Sequence, residues 1–335
     1  MNLAPIFIAI IGTILMALFG MLAGLWFHGL DRVLAARMQA RIGPPVRQPF
    51  LDIAKLMTKE NIVPANAIPW LFNGAPLLAL AGSITLLLYI PIATLGFLPV
   101  LGSYGDLVLI MYLLVIPALA MVAGGLSSGS PYATIGAQRE MVTMIAYELP
   151  LATTIIAFAW KLVQTNCATP FSLATVAATP IWTLVGPLGW MGLLLLLVTM
   201  LLVVPGELGR VPFDAPEAET EIAGGLLVEY SGRNLALFNL SLAVKTIAVM
   251  GLIVALFFPW NLSAIFNWQP TPLTAIADLL FHILKMLGLF FISVTLVRTS
   301  VARLRINQIV TMYWKILGAL SIAGLLLIMA DHYIH

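Results

Sequence analysis

Charge is scarce in this sequence. Only 9% of its 335 residues are Asp, Glu, Lys or Arg, against roughly 25% in an ordinary soluble domain, so a water-facing surface cannot be drawn from it. Cysteine is scarcer still. The single Cys167 excludes a disulfide framework within the chain and supplies no thiolate set for an iron–sulfur cluster or a zinc site. His28, His282, His332 and His335 are scattered and form no HExxH. A Walker A sequence is absent, as is a GxGxxG after a strand. The chain alone therefore offers no nucleotide or redox-cofactor site, no metal ligand set and no catalytic constellation. A net charge of +2 is too small to point to a nucleic-acid partner.

Apolar residues fill the space that charge leaves. They make up 61% of the chain, and the mean hydropathy is +1.04. Runs long enough to cross a bilayer, about 17 to 25 residues each, occur near 4–27, 70–90, 107–126, 140–163, 184–204, 237–258, 278–298 and 313–332. They predict an all-α polytopic membrane protein with about eight transmembrane helices in a single integral membrane domain over 1–335. Because the runs are continuous rather than alternating, a strand barrel is excluded. Loops one, three, five and seven hold Arg32, Arg37, Arg41, Arg47, Lys55, Lys59, Arg139, Arg210, Arg233, Arg298, Arg303 and Arg305, whereas loops two, four and six hold only Lys161. That bias puts the odd-numbered loops in the cytoplasm, and both termini outside the cell membrane. The first run has no basic residue before it and no small-residue cleavage site after it, so it reads as a retained span.

Two loops carry further information. In the first, 28–69, Gly43, Pro44, Pro45 and Pro49 force a turn. Phe50, Ile53, Ala54 and Met57 then recur at i, i+3, i+4 and i+7, the pattern of an amphipathic helix on the membrane surface. The other loop, 205–236, contains RVPFDAPEAETEIAGGLLVEYSG, which packs Asp214, Glu217, Glu219, Glu221 and Glu229 into residues 210–232. After Pro216 this segment reads as the start of a helix with its acids in the first turn. Glu217 and Glu221 then share a face, Glu219 points elsewhere, and Gly224 and Gly225 weaken the segment. Insertion calls for no acids on this basic side, and crowded carboxylates raise one another's pKa toward neutrality, which suits them to pass protons.

Charges inside the apolar runs point the same way, because each costs roughly 2.5 to 3.5 kcal/mol at mid-bilayer and is normally turned inward, paired or used in an ion path. Glu140 and Glu148 stand eight apart in the fourth run, Lys245 lies in the sixth, and Asp278, His282 and Lys285 follow at i, i+4 and i+7 in the seventh. Glu140 and Asp278 fall near run ends. Glu148, Lys245, His282 and Lys285 are expected to line a buried polar path.

The segments ARIGPPVRQPFLDIAKLMTKE, YATIGAQREMVTMIAYELPL and GELGRVPFDAPEAETEIAGGLLVEYSGRNLALFNL resemble the signature stretches of one family. It includes the first (H) membrane subunit of respiratory complex I and the corresponding subunit of group 4 energy-converting NiFe hydrogenases. Complex I members usually carry an insertion after RIGP that is missing here, and Lys245 after LFNLSLAV resembles the hydrogenase branch, so that branch is favoured. A sulfur-reducing relative shares the same features.

The resemblance implies a docking surface for peripheral redox subunits at Arg41, Gly43, Pro44, Gln48, Asp52, Lys55, Arg139, Arg210 and Asp214. It implies that Glu207, Asp214, Glu217, Glu219, Glu221 and Glu229 form the mouth of a proton-linked path, which Glu140, Glu148 and Lys245 continue inward. The His282 and Lys285 stripe is a further stretch of that path. No cofactor is expected on this chain. Instead, 4Fe-4S clusters and a Ni-Fe site belong to the hydrogenase-like large and small partner subunits, with antiporter-like membrane subunits and the lipid bilayer as further partners. In complex I the same place holds a quinone cavity. The alternatives are therefore a quinone-site subunit of an NADH:quinone oxidoreductase, a purely structural anchor and, last, a stand-alone transporter, for which the expected broken-helix repeat is missing.

Overall fold

The computed structural model describes residues 4–92, 101–165, 169–269 and 271–334; Cys167 and His335 lie outside them. Among the described residues eight helices are long and apolar enough to cross a membrane, and the chain is an all-helical, multi-pass membrane protein. The first five spans are Ala4–Met38, Pro69–Tyr89, Leu107–Ser127, Pro131–Gln164 and Pro187–Glu207. The sixth is Gly232–Phe257. The seventh, from Pro272 to Ser300, contains a π-helical turn at Phe291–Leu296. The eighth, from Ile306 to Ile334, contains another at Met312–Leu317.

The sixth span is the axis of the bundle. Every residue from Ala243 to Phe257 is buried, and the first, second and seventh spans pack around it. Lipid tails give helices no hydrophobic reason to associate, so close approach rests on small residues. Gly24 of the first span lies so near the Ala243 carbonyl that a Cβ there would stand 2.1 Å from its oxygen. Gly192 and Gly324 face each other in the same way where the fifth span meets the eighth.

Several boundaries differ from the sequence reading. The first span runs on to Met38, so Asp31, Arg32 and Arg37 belong to its last turns rather than to a loop. The amphipathic helix is present at Gln48–Thr58 and packs on the first and sixth spans. The acidic segment is not one helix. A 3-10 turn at Ala215–Glu217 gives way to a single α turn at Glu219–Ile222, and then Ala223, Gly224 and Gly225 adopt left-handed backbone. Ala218 is extended between the two turns, so Glu217 and Glu221 do not share a helical face, and the left-handed residues end the segment after Ile222.

The odd-numbered loops gather at one end of the bundle. Arg32 from the end of the first span, Lys55 and Lys59 from the first loop, Arg210 from the fifth, and Arg298 and Arg303 from the end of the seventh span and the loop after it line one cavity. Arg139 joins them through Glu221. Lys161 lies at the other end, beside Asp331.

Candidate functional site

The cavity under the acidic loop measures about 660 Å³. Its walls are the last turns of the first span, the amphipathic helix, the acidic loop and the sixth span, and charges of both signs face it. On one wall Asp31, buried, accepts from Thr295 Oγ1 at 2.8 Å and from Arg298 Nη1 at 2.7 Å. That pairing ties the first span to the π-helical turn of the seventh. Asp52, on the amphipathic helix, accepts from Arg32 at 2.8 Å and from Gln48 at 2.8 Å. Partial burial pushes the Asp52 carboxyl upward, but these two hydrogen bonds prevail and hold it below the usual range.

Two arginines clamp the acidic loop from outside. Arg303 reaches Asp214 through Nε at 2.9 Å and Nη2 at 2.5 Å, and Thr220 at 3.2 Å; this is the bidentate geometry that suits guanidinium to carboxylate. Arg139 donates to Glu221 at 2.5 Å and to the Ala215 carbonyl at 3.2 Å. Beneath the loop, Arg210 approaches both ring nitrogens of His28, at 3.0 and 3.2 Å, and His28 Nε2 is 3.0 Å from Thr246 Oγ1 on the sixth span. Burial lowers the pKa of Arg210, while Asp31 and Glu217 counter that shift. Burial also raises Glu217, to which Asp214 adds and which Arg210 opposes.

Deeper lies a buried ion pair. Lys245 Nζ stands 2.7 Å from Glu207 Oε1 and donates to the Glu207 carbonyl oxygen at 2.9 Å. Glu207 ends the fifth span where Gly206 leaves room for the Tyr313 ring. A second cavity, about 30 Å³, is lined by Glu140, Glu207, Glu217 and Lys245. That is enough room for a water. It shares Met121, Gly209, Asp214, Glu217 and Leu242 with the large cavity, so Glu217 stands between the two. Glu148, eight residues beyond Glu140, is half-buried beside Leu149, which reaches Gly318 of the eighth span.

Of the residues singled out in the sequence, Asp52, Lys55, Arg210, Asp214, Glu217 and Glu219 meet at the large cavity. Glu140, Glu207 and Lys245 meet below it, Arg139 pairs with Glu221 of the acidic segment, and Gln48 supports Asp52. Arg41 is exposed and bonded to Gln39, and Gly43 and Pro44 lie in irregular chain, Gly43 close against the end of the first span. Those three, with Glu229, line neither cavity.

The seventh-span stripe falls elsewhere. Asp278 accepts from the Ser263 backbone N–H at 2.8 Å and hydroxyl at 2.5 Å. Lys285 donates to the Phe258 and Trp260 carbonyls at 2.8 and 2.7 Å and sits over the Phe281 ring. Both side chains hold the chain that leaves the sixth span, at the end away from the acidic loop, and His282 is buried between them in sequence. Helical spacing put the three on one face but could not show which end of the bundle that face serves.

His28, Asp31, Arg298 and Arg303 went unread in the sequence as site residues. The arginines were accounted for by topology alone. His28 and Asp31 sat just past the end assigned to the first apolar run, and their spacing of three is the one signal that marked them.

The sequence model of the NADH dehydrogenase family matches residues 10–329. Among solved structures, the chain is similar to a chain in the structure of the membrane-bound sulfane sulfur reductase, an archaeal respiratory membrane complex. The two are 28% identical with a TM-score of 0.82, over 96% of this chain and 99% of that one.

Proposed function

This chain belongs to the NADH dehydrogenase family, and from that premise we propose that it couples electron transfer in docked redox subunits to H+ or Na+ movement. It is a membrane subunit of a respiratory-type complex. The partners fitting this reading are hydrogenase-like large and small subunits carrying 4Fe-4S clusters and a Ni-Fe site, with antiporter-like subunits alongside in a cytoplasmic membrane. The observation that carries the reading is the unbroken series of ionisable groups from the large cavity through Glu217 to the Glu140, Glu207 and Lys245 cluster.

The coupling is electrostatic. A unit change of charge about 6 Å from a carboxylate is worth roughly 3 kcal/mol at an effective dielectric of 20, about two pKa units. Burial already raises Glu217 above the ordinary carboxylate value, and a change of that size moves its proton equilibrium further. Its proton then exchanges with the Glu140, Glu207 and Lys245 cluster through the small cavity, and Glu148 passes the response to a neighbouring subunit.

A sulfur-reducing complex is the second reading, favoured by the likeness to the sulfane sulfur reductase. A quinone reading draws on the apolar strip of Leu25, Ile53, Leu56, Phe238 and Leu242 in the cavity wall. Isolation of the intact complex through a tag on this chain, with mass spectrometry of its subunits and assays of hydrogen evolution, sulfane-sulfur reduction and quinone reduction, separates the three. Hydrogen evolution with a nickel-containing subunit is the expected result. Loss of ion pumping with preserved redox turnover in Glu148→Gln tests the coupling itself, and undiminished pumping in an assembled complex refutes it.

A further inference from the structure

The end of the bundle away from the acidic loop holds a second charged cavity that the coupling path does not use. The fourth, fifth and eighth spans meet there around a space of about 210 Å³ lined by Lys161, Gln164, Gly186, Asp331 and His332. Lys161 is the basic residue that stood alone among the even-numbered loops of the sequence. Its side chain is only 7% exposed, and its Nζ lies 3.9 Å from Asp331 Oδ2, beyond hydrogen-bond length. The carboxylate is held in place from the other side. Its Oδ2 accepts the Gly186 N–H at 2.8 Å, and Gly189 keeps the space clear, since a Cβ there would lie 2.8 Å from the same oxygen.

A buried ammonium carries three donors and is costly to leave without acceptors. The carboxylate oxygen beside Lys161 Nζ stands at 3.9 Å, and the cavity the ammonium faces, about 210 Å³, has room for more than one water. We propose that this cavity binds a phosphoethanolamine-type head group, a phosphate ester bearing an ammonium, presented by a membrane lipid. A wholly anionic ligand would meet the Asp331 charge at once. A zwitterion instead lays its phosphate on Lys161 and Gln164 and its ammonium toward Asp331, antiparallel to the protein's own pair.

The position favours a lipid as the source. Lys161 and Asp331 each lie three residues before the end of their spans, Gln164 and Ile334. Aromatic side chains rim the site: Trp160 packs edge-on against His332 with ring centroids 5.5 Å apart, and Trp190 and Tyr333 are exposed. Tryptophan and tyrosine settle at the depth of lipid head groups, where charged pockets between spans recognise them.

The test uses the complex purified in mild detergent, with its retained lipid counted by mass spectrometry. After delipidation, phosphatidylethanolamine, phosphatidylglycerol or soluble phosphoethanolamine is added back and the melting temperature read. Retention of phosphatidylethanolamine, with several-fold less in Gln164→Ala and none in the charge-neutral double variant Lys161→Gln/Asp331→Asn, is expected. Gln164 sits on the exposed rim, so its variant separates lost binding from lost folding. Equal retention in wild type and variants, or equal protection by phosphatidylglycerol, overturns the proposal. Protection by soluble phosphoethanolamine alone upholds the head-group chemistry and overturns the lipid as its source.

Discussion

Replacing Lys245 with Met removes the cation that makes Glu207 tolerable beneath the acidic loop. The two side chains are 5% and 3% exposed and 2.7 Å apart. At that distance an effective dielectric of 20 gives an attraction of about 6 kcal/mol. The desolvation of two ions opposes it, at several kcal/mol each, so the net worth of the pair is small. Removing one partner is different, because the other is then buried without compensation, which costs about 3 to 5 kcal/mol. Lys245→Met is therefore expected to destabilise the complex by that amount, whereas the double variant Lys245→Met/Glu207→Gln, which buries no net charge, recovers most of it. Melting of the purified complex, followed by tryptophan fluorescence, reads the stability, and the double-mutant cycle isolates the pair. The same proteins in liposomes, given electrons through the peripheral subunits, read the pumping. Redox turnover is expected to survive in the double variant while ion movement is lost. If the double variant is as unstable as the sum of the singles, Lys245 and Glu207 are not a unit. If it pumps normally, the path does not run through them.

Other expectations concern the loop, its neighbours and the packing. Glu217 has its folded pKa raised above the ordinary carboxylate value. Its ionisation therefore costs stability in full above the folded pKa, and the cost is relieved as the pH falls through it. Mild acidification should stabilise the wild type, and Glu217→Gln should flatten that dependence in melts taken from neutral pH down toward the ordinary carboxylate range; an unchanged profile counts against burial as the cause. Asp52 is shifted the other way, so its contribution is present above the ordinary value and lost only as the pH falls through the lowered one. Because the Arg32 and Asp52 side chains are 44% and 39% exposed, Asp52→Asn should cost under about 1 kcal/mol while speeding hydrogen exchange in Gln48–Thr58. Gly24→Ala forces a methyl against the Ala243 carbonyl and should cost about 1 to 3 kcal/mol by overpacking. Gly74→Ala, with nothing within 4 Å of the added Cβ, should cost nothing; equal melting points would refute the contact.

Span number and class were legible because bilayer thickness imposes a length that apolar runs report directly. The ends were less so. Asp31 and Arg32 look like a loop in sequence, yet the first helix carries them inward to meet Arg298 and Asp52, since an ion pair made across spans removes the reason to end a helix at its first charge. The acidic loop was legible as an unusual concentration of carboxylates, but its shape was not, because the left-handed turn at 223–225 depends on tertiary contacts: a Cβ on Gly225 would sit 2.1 Å from the Pro216 carbonyl oxygen. Lys245 was marked by its depth in an apolar run. Its partner Glu207 was marked only by the family resemblance, since a carboxylate at a helix end looks solvated until the fold covers it.

The division of labour between loop and helix follows from how each is held. The sixth span is fixed along its length: its Lys245 is paired, Thr246 meets His28, and Ser241 bonds Ser83 at 2.9 Å. At its far end Trp182 donates to the Phe257 carbonyl at 2.6 Å and Lys285 to that of Phe258. Moving this helix would break buried contacts together. The acidic loop is held by Arg139 on the exposed Glu221, a pair typically worth about 0 to 1 kcal/mol, and by the stronger bidentate bonding of Arg303 to the buried Asp214. A charge change of about 3 kcal/mol at the docked face exceeds the first clamp and falls short of the energy needed to strip Lys245 from a charged Glu207. The loop therefore responds first, about its left-handed turn, and the buried pair changes only when a proton arrives through Glu217. Arg139→Ala and Arg303→Ala should then loosen the loop without stopping pumping, whereas Glu217→Gln should stop pumping with the loop still closed. Hydrogen exchange across 209–232, measured beside proton uptake in liposomes, checks that order; loss of pumping in the arginine variants with the loop still protected would reverse it.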